Sequence, residues 1–370
     1  FLATYLPGFL VALPLAAAPV LWLLASAQPR RWLAIVSVQL ALLLVLLEAC
    51  LAALHGSAKL ASVPLFTDLA RRLDHYGAPM IQYIPECARY DPELAYTLKP
   101  GRFVFEVTEY STEYRVNRLG VRDDDPSLES PEIVVVGDSH AMGLGVQQEE
   151  GFPQALERMS GRKVLNTGVS SYGTARELRM LARVPMDSVR HVVVQYCAND
   201  YEENRAFRDG GLRVMAEEAY RGLVEHHARD RIYWPLKYTG CIARSLWSSV
   251  LSRIARSAPP SEDAGVAPEG GAGDEADAFL EVLRRCPADL SRARLVLVEI
   301  NGYNANDTEF LDAVRRGIAA REYPEFVETM VLVDVSGALT DADYLVLDDH
   351  MRPAGHEAVA RRIWDAMRGD

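Results

Sequence analysis

The chain has 370 residues, 51 acidic and 39 basic side chains, and a formal charge of −12 with a pI of about 5.3. An acidic balance of this size argues against a nucleic-acid polyanion as partner. The length leaves room for a membrane anchor plus one large domain or two small ones.

The first 28 residues carry no charge, and between Trp32 and Leu54 the only charged residue is Glu48. Each run exceeds the roughly 20 apolar residues that cross a bilayer. Pro29-Arg30-Arg31 forms a short basic loop between them, so residues 1–56 are expected to be a transmembrane helical hairpin. A signal peptide followed by one helix is the weaker reading, because the first run lacks a charged start and a small-residue cleavage site. The basic loop is expected to face the cytoplasm, which places everything after Gly56 on the far side. The implied location is the inner (cytoplasmic) membrane, with the domain after Gly56 periplasmic or extracellular. The chain does not start with Met, so an upstream segment is expected. Glu48 reads as a carboxylate near the outer interface or one bonded to a partner helix, rather than as a functional group.

Residues 57–130 form a β-rich connecting region. Residues 62–76 carry Leu65, Leu69 and Leu73 at helical spacing. Residues 90–101 are rich in turn residues, and 103–107 with 113–116 alternate in the manner of a hairpin. An acidic turn, Asp123 to Pro126, follows.

From residue 131 strands and helices alternate. Residues 133–136, 164–166, 191–197, 294–300 and 331–335 read as strands. Residues 151–159, 174–182, 307–319 and 353–367 read as helices. This alternation predicts a parallel sheet covered on both faces. An insertion is expected at about 201–289, with helices at 212–228 and 243–255 and a low-complexity, disordered stretch at 257–276.

Four expected strand ends carry polar groups. Ser139 follows the first, Gly168 the second, Asn199 the third, and Asp348-Asp349-His350 the fifth. Ester chemistry through a nucleophile needs a hydroxyl, an imidazole to take its proton and a carboxylate to steady the imidazole. It also needs N–H donors for the developing oxyanion. Alone, Gly137-Asp138-Ser139 is a common turn after a core strand.

The ordered set Gly137-Asp138-Ser139-His140, Asn166-Thr167-Gly168, Asn199-Asp200 and Asp348-Asp349-His350 resembles the SGNH/GDSL hydrolase superfamily over residues 132–367. The spelling Gly-Asp-Ser-His-Ala also resembles the domains fused to polysaccharide O-acetylating membrane proteins. The resemblance implies a flavodoxin-like three-layer α/β/α fold with about five parallel strands and no cofactor or metal. It implies Ser139 as nucleophile, His350 as base and Asp348 as the orienting acid, with Asp349 as competitor. The N–H groups of Ser139 and Gly168 and the Asn199 amide would form the oxyanion hole. Two positions depart from the pattern. Cys197 stands where glycine is usual, and Leu347 precedes a shortened Asp-x-His.

The expected function is therefore a membrane-anchored serine esterase acting on O-acyl groups of surface glycans or lipids. The alternatives are a polysaccharide O-acetyltransferase with the same triad, or a catalytically silent glycan-binding or assembly protein. Other titratable residues have structural readings. His356 is a packing residue at a helix start, and Asp138 and Asp200 stabilise turns. His140 points away from the nucleophile, toward substrate, and His226-His227 is solvated. None of the five cysteines (Cys50, Cys87, Cys197, Cys241, Cys286) has zinc-ligand spacing. Cys241 and Cys286 could pair across the insertion, or stay as thiols.

Overall fold

The computed structural model describes residues 29–75, 78–255 and 271–369. The first half of the expected hairpin, residues 1–28, lies outside them, as does 257–270 of the low-complexity stretch. In chain order, helices α1 (Pro29–His55), α2 (Ala58–Ala61) and α3 (Thr67–His75) come first. Strands β1 (Ala88–Asp91), β2 (Ala95–Leu98), β3 (Gly101–Glu106) and β4 (Ser111–Val116) follow. Next come β5 (Ile133–Val136), α4 (Ser139–Met142), α5 (Phe152–Ser160), β6 (Val164–Asn166), α6 (Thr174–Leu181) and β7 (His191–Tyr196). The segment leading to β8 (Arg294–Glu299) holds α7 (Tyr201–Gly210), α8 (Glu217–Asp230), α9 (Lys237–Ala255) and α10 (Gly271–Arg284). The chain continues with α11 (Glu309–Ala320), α12 (Glu325–Glu328), β9 (Val331–Val333) and α13 (Pro353–Arg368). These elements form two compact units, one of residues 1–76 and 233–258, the other of 77–232 and 259–370.

The larger unit is built on a five-stranded parallel sheet in the order β6-β5-β7-β8-β9. Its β-branched strands are buried on both faces, as parallel sheets require. Period-2 alternation sends Val134, Val136, Val192, Val194, Leu295 and Leu297 to one face, against α6, α10 and α11. It sends Ile133, Val135, Val193, Val296 and Val298 to the other, against α5 and α13. The result is a three-layer α/β/α sandwich of flavodoxin-like strand order.

Several boundaries differ from those expected. The single helix at 62–76 is broken: Pro64 cannot continue a helix, and the chain restarts at Thr67. The turn-rich stretch at 90–101 is an antiparallel pair, β1 with β2, joined at Asp91, whose carboxylate accepts the N–H groups of Glu93 and Leu94. The hairpin β3–β4 forms in the register Gly101 to Val116. Residues 271–276, expected to be disordered, start α10. Its Ala276, Phe279, Leu280 and Leu283 fill the sheet core, so this helix belongs to the sandwich rather than to an insertion. No disulfide joins the five cysteines, Cys241 and Cys286 included.

In the smaller unit, Arg31–His55 of α1 has mean hydropathy 2.4 and is long and apolar enough to cross a membrane. Glu48, on its second half, is buried. Its carboxylate accepts the N–H groups of Tyr238 (3.1 Å) and Thr239 (2.8 Å) and the Thr239 hydroxyl (2.7 Å). The carboxylate therefore caps the start of α9, an arrangement that satisfies both the charge and the orphan donors of the helix.

Candidate active site

The site lies at the carboxyl ends of β5, β6 and β7 and on the loop before α13, where open α/β sheets place their chemistry. Gly137 ends β5 because nothing larger fits: a Cβ there would lie 2.5 Å from Gln195 Oε1 and 2.6 Å from Ala141 Cβ. Asp138 caps α4 by accepting the His140 N–H at 2.9 Å. Gln195, buried in β7, accepts the N–H groups of Asp138 and Ala141, each at 3.1 Å. Ser139 is thus held at the first position of a short helix, where its own N–H has no intrahelical acceptor.

Arg122 fixes the return of this turn. It is buried, stacks on Tyr114 at 3.9 Å, and donates to the carbonyls of Gly143 (2.5 Å), Val146 (2.8 Å) and Glu113 (3.1 Å). A charge this deep is tolerated because both terminal nitrogens of its guanidinium donate to carbonyls, although Nε has no partner.

His350 Nε2 lies 2.6 Å from Ser139 Oγ. On the other side of the ring, Nδ1 contacts Asp348 Oδ1 directly and Asp349 Oδ1 at 3.2 Å. Two carboxylates flanking Nδ1 require the proton there, which leaves Nε2 as the acceptor for the serine hydroxyl. Burial alone would lower the proton affinity of His350, but Asp348 and Asp349 outweigh it and hold the imidazole well above its ordinary range. Burial would raise the Asp349 carboxyl; the hydrogen bond and charge of His350 instead pull it below the usual carboxylate range. Asp348 is the more enclosed of the two acids, with side-chain exposure of 19% against 50%.

The carboxylate loop is braced from the lead-in hairpin. Glu109, in the β3–β4 turn, accepts the N–H groups of Val346 (2.5 Å), Leu347 (2.7 Å) and Asp348 (3.3 Å). The neighbouring Tyr110 hydroxyl donates to Asp348 Oδ2 at 3.1 Å. Sequence reasoning missed Glu109, Tyr110, Arg122 and Gln195. Only Gln195 left a visible signal, a lone polar side chain within a β-branched strand.

The expected oxyanion donors are close to the serine turn but not all uncommitted. A Cβ on Gly168 would fall 2.5 Å from Met142 N, so the loop after β6 abuts α4. The Gly168 N–H donates to Asn166 Oδ1 at 2.9 Å. Asn199, exposed on the turn after β7, makes a long contact from Nδ2 to Asp138 Oδ2 at 3.4 Å, which leaves its amide largely available. Cys197 turns its thiol to Asn301 Oδ1 (3.5 Å), and burial together with Asp138 and Asp200 pushes the thiol far up, so it is inert.

The remaining histidines separate clearly. His140 is buried with its ring 4.7 Å from that of His350, not directed away from the site, and burial together with the His350 charge lowers its proton affinity. His356 Nδ1 accepts the Phe152 N–H at 3.2 Å, and burial pushes its pKa down to about 3. His226 pairs with Asp230 at 3.3 Å and His227 stacks on Tyr83 at 4.6 Å. Asp200 is buried and accepts the Thr174 hydroxyl. Among the described residues, Asp348, Asp349 and His350 alone form a cluster of metal-ligating composition, with ligand atoms within 4.8 Å. Nδ1 is a donor to both acids there, an arrangement that orients a base rather than presenting a lone pair to a cation.

No protein-family model and no curated protein matches the chain. Solved structures similar to it include a lipolytic protein of the G-D-S-L family from Desulfitobacterium hafniense DCB-2 (11% identity over 63% of this chain and 98% of that one, TM-score 0.33). Phospholipase A1 from Streptomyces albidoflavus NA297 is 13% identical over 65% of this chain and 99% of that one, with a TM-score of 0.32. A carbohydrate esterase family 2 enzyme with its carbohydrate-binding domain, from Corynascus thermopiles (Myceliophthora fergusii), is 12% identical over 64% and 66%, with a TM-score of 0.33. Similarity this low assigns neither activity nor substrate.

Proposed function

We propose that the chain is a membrane-anchored serine esterase of the SGNH/GDSL kind, acting on O-acyl groups of surface glycans or lipids. One observation carries this reading: Ser139 Oγ lies 2.6 Å from His350 Nε2, while Asp348 holds the opposite ring nitrogen. His350 takes the Ser139 proton as Oγ attacks the acyl carbonyl. Asp348 stabilises the imidazolium that forms. The Ser139 N–H and the Asn199 amide stabilise the oxyanion, with the Gly168 N–H shared between it and Asn166. Collapse expels the alcohol, which takes the proton from His350. Water, activated by the same base, then releases the acyl group from Ser139.

The anchor is α1, by its length and hydropathy, and it supports a substrate held at a surface. A serine-directed phosphonate should label the wild-type chain and spare Ser139→Ala. A folded wild-type chain that resists labelling would overturn the reading. If the acyl group passes to a sugar hydroxyl instead of water, p-nitrophenyl acetate turnover will rise on adding a glycan acceptor and acetylated glycan will accumulate.

A further inference from the structure

The stretch that opens α9 bears exposed aromatic and apolar side chains. Tyr233, Trp234 and Leu236 are 55%, 46% and 39% exposed, and Trp247 on α9 is 65% exposed. Leu236 adopts φ 63°, a conformation a bulky side chain occupies only under constraint. Soluble surfaces scatter such residues singly; here they are clustered in sequence.

Their depth follows from α1. Arg31 and Glu48 are seventeen residues apart, about 26 Å along a helix, close to the ~30 Å of a bilayer's hydrocarbon core. With the basic end of α1 at one boundary, Glu48 therefore lies near the other. Around it Val45, Leu46 and Leu47 are 64%, 60% and 46% exposed, which suits lipid contact. Glu48 caps the first N–H groups of α9, so this helix starts at that boundary. It then runs outward along α1. The Tyr238 ring meets His55 at 5.0 Å, and Ser245 accepts from Arg72 of α3 at 2.8 Å. Tyr233 to Leu236 precede the capped end in the chain, with the tip of the Trp234 ring beside Gly240 in the first turn of α9.

We infer that the segment from Tyr233 to Leu236 dips into the leaflet at the carboxyl end of α1 and is a second contact with the same bilayer. Trp234 and Tyr233 occupy the zone where aromatic rings concentrate at membrane boundaries. Lipid is the occupant because the segment is joined, through the Glu48 cap, to the helix that reads as crossing it. The inference rests on α1 spanning the bilayer, and its test separates the two.

The full chain is reconstituted in phosphatidylcholine vesicles, with and without lipid brominated near the headgroup end of the acyl chain. The emission owed to Trp234 is the difference between wild type and Trp234→Phe, with Trp234→Tyr as a second reference. That difference should lose most of its intensity in brominated vesicles and resist aqueous iodide. Alkaline carbonate should leave all three chains in the membrane pellet. Iodide quenching without bromolipid quenching, in a chain that stays in the pellet, overturns the second contact while α1 still spans. Protection from both quenchers also overturns it and points to a second copy of the chain. Release of wild type by carbonate overturns the spanning reading, and the inference with it.

Discussion

Two carboxylates flank Nδ1 of His350, and geometry gives them different work. Asp348 contacts the ring directly and is enclosed; Asp349 stands off at 3.2 Å and is half-exposed. Asp348→Asn is expected to lower kcat/KM by about 10⁴-fold, since the base loses its orientation and tautomer. Asp349→Asn is expected to cost no more than about 10-fold. Equal losses in steady-state assays would sink the distinction. In the proposed role as base His350 works only when neutral, and its carboxylate partners raise its proton affinity above the ordinary value of 6.5. Activity should therefore be low in acid and rise with pH along a limb centred above 6.5. In Asp349→Asn one raising charge is gone, so that limb moves to lower pH. Tyr110→Phe has the opposite sign. Without the phenol, Asp348 Oδ2 keeps more charge, His350 binds its proton more tightly, and the limb moves to higher pH. Its plateau should fall only about 5-fold, the worth of one hydrogen bond of ~1 kcal/mol. A pH–rate profile of Tyr110→Phe that superimposes on wild type would show that the phenol does not act on the acid. Sequence alone could not choose between adjacent aspartates, because spacing along a loop does not fix which side chain turns inward.

At the scale of elements, the lead-in region is part of the site. Its hairpin braces the Asp348 loop through Glu109 and Tyr110, and Arg122 holds the return of the serine turn. Arg122→Met should strand several buried carbonyls and cost about 3 kcal/mol, read as a lowered denaturation midpoint. Arg122→Lys keeps the charge but loses the fork and should recover only part of that. A surface-like loss below about 0.5 kcal/mol in Arg122→Met would contradict the bracing role. The sheet strands were legible because β-branched runs have few alternatives. Helix α10 was not, because its glycine- and acid-rich start reads as linker, although Ala276, Phe279, Leu280 and Leu283 keep helical spacing. Residues 90–101 were misread for a related reason. Turn residues such as Asp91 and Pro92 drew attention to the bend and away from the short strands it joins.

Over the whole molecule, the polar groups of the site come from strand ends that only the sheet order brings together. Ser139 and His350 are 211 residues apart, and Glu109 bonds a loop 237 residues further along. Contacts of that range leave no local trace in composition or periodicity, so the bracing residues could not be read from the sequence. The parallel sheet could be, from strand–helix alternation, whereas the order β6-β5-β7-β8-β9 was implied only by the family resemblance. Because the site is assembled from both ends of the domain, ester hydrolysis and the far-UV signal should fall together in a urea titration. Activity lost well before the signal would mean that the hairpin opens locally while the sheet survives.

The hairpin clasp also has a consequence for how the protein is made. Ribosomes deliver Ser139 first and its base 211 residues later, and domains fold as the chain emerges at roughly 5–20 residues per second. For the whole of that interval the nascent chain carries a nucleophile with nothing to deprotonate it. A serine placed in this order lacks its histidine partner throughout synthesis. The Ser139–His350 pair forms only once the loop at 346–350 reaches Glu109, so a product truncated before that loop would lack the pair.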